Sequence, residues 1–125
     1  MATPQNIRLV KTFTFEAAHR LPQVPPDHKC HRMHGHSFQI EITVTGPIDP
    51  KLGWLIDFDE ITSLIEPIVM GELDHRVLNE VQGLENATSE NLSVWVWNRV
   101  KPLLPQLSAI TVHETCTARC TYRGS

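Results

Sequence analysis

The stretch "HSFQIEITVTG", residues 36–46, alternates Phe38, Ile40, Ile42 and Val44 against Gln39, Glu41, Thr43 and Thr45. Successive side chains of a strand point to opposite faces, so the pattern predicts a strand with one face in a core and the other in water. Upstream, "IRLVKTFTFEAAH", residues 7–19, places Phe13, Phe15 and Ala17 on one parity among β-forming residues and predicts a second strand. Two half-buried strands of this kind suit an antiparallel pair. The proline-rich segment between them, "RLPQVPPDHKCHRM", residues 20–33, follows neither regular period and reads as a loop.

Beyond the turn-rich "GPIDPKLG", residues 46–53, two helices are expected. In "DFDEITSLIEPIVM", residues 57–70, Asp57 and Glu60 form a capping-box pattern, and Ile61, Leu64, Ile65 and Ile68 keep helical spacing. Pro67 should kink or end that helix near its last turn. In "TSENLSVWVWNRVKPLL", residues 88–104, Thr88 or Ser89 caps a helix that puts Leu92, Trp95, Val96 and Val100 on one face. "SAITVHETC" and "ARCTYRG" read as two closing strands. The expected fold is α+β, of order β-β-α-α-β-β, with an antiparallel four-stranded sheet and two helices on one face.

A chain of 125 residues with 41% hydrophobic and 20% charged residues is expected to form a single globular domain, residues 1–125. A formal charge of −3 offers no basic surplus for phosphate neutralisation, so no nucleic-acid partner is expected. No apolar run approaches the length of a membrane span, and "MATPQNIRLVK" lacks the apolar core of a signal peptide. Three cysteines cannot all pair within one chain, which favours a reducing, cytoplasmic setting.

The segment "HKCHRMHGHSF", residues 28–38, concentrates four of the seven histidines. His34 and His36 stand two apart at the start of a strand, so both imidazoles project from one face. His19 ends the first strand and, in an antiparallel pair, lies beside that start. Three neutral imidazoles at about 2.0–2.1 Å from a zinc ion leave a fourth position open, as a catalytic site requires. Cys30 admits two readings. It can be a fourth ligand in a closed structural site, or a reactive thiol in a loop flanked by Lys29 and Arg32. His28, His31 and His113 lack ligand geometry, and Cys116 and Cys120 read as small buried hydrophobes. In "ELDHRVLN", residues 72–79, Asp74 can hold the His75 imidazole as a proton shuttle requires, although an adjacent Asp–His pair is more often a solvated loop. Glu114 shares parity with Ile110 and Val112, which aims a carboxylate from an apolar face toward water or toward a donor-rich heterocycle.

The ordered set "FTFEAAHRL", "C-x3-HGHSF", "GWLIDF", "LDHRVLN", "GLENATSENL" and "HETCTARCTYRG" resembles the 6-pyruvoyltetrahydropterin synthase family from about Phe13 to Gly124. The three-residue gap between Cys30 and His34 is most similar to its bacterial 6-carboxytetrahydropterin synthase branch, which serves queuosine biosynthesis. The resemblance implies the tunnelling fold and one zinc per chain on His19, His34 and His36. It implies Cys30 as proton acceptor, Asp74 and His75 as relay, and Glu114 as anchor of the pterin 2-amino and N3 edge, with a share in the relay. The implied enzyme is a carbon–carbon lyase that converts 7,8-dihydroneopterin 3′-triphosphate and water to 6-carboxytetrahydropterin, acetaldehyde and triphosphate. It also implies a homo-oligomer, hexameric or otherwise ring-based, with active sites between subunits. The alternatives are 6-pyruvoyltetrahydropterin synthase activity and a non-catalytic, zinc-stabilised binding module.

Overall fold

The computed structural model describes residues 5–125. Strand β1 runs over Asn6–His19 and β2 over His34–Pro47, paired antiparallel along their whole length so that Phe15 faces Phe38 and His19 faces His34. Helix α1 covers Phe58–Ile68, capped by the Asp57 carboxylate, which accepts from the Asp59 N–H at 2.9 Å. Pro67 has no N–H to offer the ladder, and one residue beyond it the α-helix gives way to a wider π turn, Val69–Leu73. Strand β3 is only Arg76–Val77; helix α2 spans Ser89–Val100; β4 covers Leu107–Thr115 and β5 Ala118–Tyr122. The Thr88 side chain caps α2 by accepting from the Asn91 N–H at 3.0 Å.

The sheet order is β3-β1-β2-β4-β5. Every pairing is antiparallel except β1 with β3, which is parallel. This corrects the expected four-stranded antiparallel sheet: the class is α+β, but the sheet is mixed, has five strands, and places a strand between the helices. A two-residue strand shows no alternation, so Arg76–Val77 has no signature of its own. It becomes a strand because the main chain before it bonds to β1. The His75 N–H donates to the Glu16 carbonyl at 2.6 Å, and the Asp74 carboxylate accepts from the Glu16 N–H at 2.9 Å.

Phe15, Ala17, Phe38, Ile40, Ile42, Val44, Ile110 and Val112 occupy the sheet's inner face, and both helices cover it. Ile61, Ile65 and Ile68 come from α1, and Leu92, Val96 and Val100 from α2. Fully burying each such side chain contributes about 1.5–3 kcal/mol. The phenyl rings of Phe15 and Phe38 stack with centroids 5.2 Å apart, and Phe38 also meets His19 and His36 edge-on at 5.5 and 5.4 Å. The apolar core therefore ends in a floor of phenyl rings, and the histidines stand on it.

Candidate metal centre and the groups around it

β1 delivers His19 at its last residue, and β2 delivers His34 and His36 at its first and third. The antiparallel register sets His19 opposite His34 and Ala17 opposite His36, so all three rings share the inner face. One nitrogen from each lies within 4.8 Å of the other two. The ring of Phe38 packs edge-on against His19 and His36 and offers them no hydrogen bond. Among the described residues, His19 Nε2 and His36 Nε2 are buried without a hydrogen-bond partner. Such orphaned buried nitrogens fit a metal ion.

Two of the other ring nitrogens are held by main chain. His19 Nδ1 bonds the Ala87 carbonyl at 2.7 Å, and His34 Nδ1 bonds the Arg32 carbonyl at 2.7 Å. A carbonyl can only accept, so each Nδ1 carries the proton and each Nε2 presents a lone pair. Burial holds the His19 pKa below its ordinary value of 6.5, against the opposing pull of the Ala87 carbonyl. The neighbouring His34 lowers it further, Glu114 raises it, and His36 lowers it. The neutral form that results is the one that binds metal.

Glu114 arrives from β4 at the edge of this trio. Its Oε1 lies 3.4 Å from His19 Nε2 and 4.0 Å from His36 Nε2, and it accepts from the Ser89 hydroxyl at 3.2 Å. The side chain is 33% exposed, and it lines a 660 Å³ cavity together with His36, Gln39, His113 and Cys116. The strand parity of Ile110, Val112 and Glu114 is as the alternation predicts. Ser89 carries no sequence signal beyond its place at the start of α2.

Asp74 and His75 form their own unit. Asp74 Oδ2 bonds His75 Nδ1 at 2.7 Å while Oδ1 takes the Glu16 N–H. The Glu16 amide first, and the His75 ring after it, hold the Asp74 carboxyl below its ordinary 3.8. His75 adopts φ 58°, a left-handed conformation in a residue other than glycine, and its side chain is 78% exposed. Glu16, His36, Ser37, His75 and Arg76 line a 510 Å³ cavity, where the Ser37 hydroxyl donates to the Glu16 carboxylate. Neither member of the pair belongs to the 4.8 Å set of histidines.

Cys30 sits in a short 3-10 turn, Lys29–His31, whose N–H donates to the His28 ring at 3.0 Å. It too lies outside the converging set, which among the described residues consists of the three histidines. Cys116 and Cys120 are free, as is Cys30, and Cys116 is exposed rather than buried. His113 pairs with Glu41 on the sheet's outer face, away from the trio's face.

The family model described as 6-pyruvoyl tetrahydropterin synthase matches residues 8–125. The chain belongs to that family. It is 36% identical over 119 residues to a Synechocystis 6-carboxy-5,6,7,8-tetrahydropterin synthase, covering 91% of each chain. It is also 36% identical over 132 residues to a Drosophila melanogaster 6-pyruvoyl tetrahydrobiopterin synthase, covering 93% of this chain and 79% of that one. Among solved structures, the Caenorhabditis elegans 6-pyruvoyl tetrahydropterin synthase superposes with a TM-score of 0.90 at 26% identity, with both chains fully covered. Among the described residues, no helix is long and apolar enough to cross a membrane.

Proposed function

We propose that the chain is a zinc-dependent carbon–carbon lyase acting on a pterin. It would convert 7,8-dihydroneopterin 3′-triphosphate and water to 6-carboxy-5,6,7,8-tetrahydropterin, acetaldehyde and triphosphate, in queuosine biosynthesis in the cytoplasm. The observation that carries this reading is the trio of imidazoles with buried, unpartnered nitrogens beside a carboxylate turned to the same opening. The name of the Synechocystis relative supports the product, and the three free cysteines support a reducing compartment.

In this reading His19, His34 and His36 hold one zinc per chain. Bound there, zinc supplies a Lewis acid that polarises the substrate's side-chain oxygens. Glu114 accepts hydrogen bonds from the 2-amino and N3 edge of the pterin. Cys30, as thiolate, accepts a proton from the substrate side chain. Asp74 holds His75 through Nδ1, which leaves Nε2 to give or take the second proton. The exposure of the His75 side chain, outside the converging set of histidines, supports a site completed between subunits of a homo-oligomeric ring, a hexamer or another assembly of rings. Open edges support the same assembly: β1 pairs with β3 only at Ala17 and Ala18, and β5 ends the sheet.

Mass spectrometry of products from dihydroneopterin triphosphate and the zinc-loaded protein tests the reading. Carboxytetrahydropterin with acetaldehyde is the expected outcome. Pyruvoyltetrahydropterin would assign the alternative synthase activity, and unchanged substrate would leave a zinc-stabilised binding module.

A further inference from the structure

Asn79 lies in the 3-10 turn Leu78–Glu80 that follows β3. The parallel ladder between β1 and β3 ends at Ala18 and Val77. Where it would have continued, one side-chain amide takes its place. Asn79 Oδ1 accepts from the Arg20 N–H at 2.9 Å, and Nδ2 donates to the Arg20 carbonyl at 2.8 Å. Nδ2 also donates to the Glu85 carbonyl at 3.1 Å.

Those anchor points are specific. Arg20 directly follows His19, and Glu85 stands two residues before Ala87, whose carbonyl takes the His19 Nδ1 proton. The amide therefore ties together the two segments whose separation sets the His19–Ala87 bond. We propose that Asn79 is a positioning residue for the metal centre, fixing the tautomer and aim of His19 without touching the metal. The proposal rests on the reading of the three histidines as a zinc site.

Two measurements test it, with zinc alone as the probe. Zinc affinity is read by competition with a chromogenic chelator, and the histidine tautomers of the metal-free protein are read by imidazole nitrogen NMR. Asn79→Asp, near in shape, keeps an acceptor for Arg20 but loses both donations; Asn79→Ala loses all three bonds. Both should bind zinc about tenfold or more weakly. In both, His19 should lose its single Nδ1–H tautomer while His34, held by the Arg32 carbonyl, keeps its own. Val100→Ala, a core truncation at the far end of α2, should lower thermal stability and leave zinc affinity and both tautomers as in wild type. If Asn79→Ala does not fold, Asn79→Asp carries both readouts. Wild-type zinc affinity in folded Asn79→Asp overturns the proposal, as does an equal disturbance of His19 and His34. Failure of the wild type itself to take up zinc sinks the metal reading instead, and the His19 tautomer in wild type against variant then decides the role of Asn79.

Discussion

His19 is fully buried, stands on a phenyl floor, and has one ring nitrogen satisfied and one not. Leaving a buried polar atom unpaired costs about 1–3 kcal/mol, and a bound cation offsets that cost. We expect one zinc per chain by elemental analysis, lost in His19→Ala and retained in Cys30→Ala. The reverse pattern would reassign the ligands. Glu114 should behave differently, because its proposed partner is the ligand rather than the metal. Glu114→Gln should keep its zinc and lose about 1.5–3 kcal/mol of affinity for a non-reacting pterin analogue, the worth of a hydrogen bond to a charged group. Calorimetric titration showing unchanged affinity would remove the anchor role.

Among the elements, α2 joins stability to the site. Its cap is Thr88, preceded by Ala87, which holds His19, and followed by Ser89, which holds Glu114. Thr88→Ala should cost about 1 kcal/mol by denaturant unfolding. The turn before β3 carries a pH signature. The Asp74 pKa is depressed by the Glu16 amide and by His75, so its contribution to stability is present above about 3.8 and is lost as pH falls through the lower folded value. Thermal melts over that acid range should show a steeper loss in wild type than in Asp74→Asn; parallel curves would refute the coupling. Both caps, both helices and four of the five strands were legible in the sequence, because each rests on local chemistry or on periodicity within one segment. β3 was not, since Arg76–Val77 is defined by its bonds to a strand nearly sixty residues earlier. The histidine trio was legible because H-x-H spacing and a strand end fix it. Asn79 was not, because its three partners are main-chain atoms that no residue type announces.

At the scale of the molecule, and among the described residues, the outer edge of β1 before Glu16 and the outer edge of β5 have no neighbouring strand. Such edges recruit further strands, and in the proposed ring they meet those of neighbouring copies. If the site is shared between copies, inactive Cys30→Ala and inactive His75→Ala chains, unfolded together and refolded as mixed oligomers, should regain part of the activity. Mixed oligomers no more active than the separate variants would show that each chain carries its own relay.

The carbonyls of Ala87 and Arg32 that hold two of the histidines belong to the main chain. A point mutation can replace a side chain but cannot delete a peptide oxygen. The outer support of the centre is thus shielded from direct mutational loss, and drift in metal preference must proceed by reshaping the loops that carry those oxygens. Libraries that randomise residues 82–88 and 29–33 should accordingly yield altered metal selectivity more often than libraries of equal size aimed at the side chains lining the cavity.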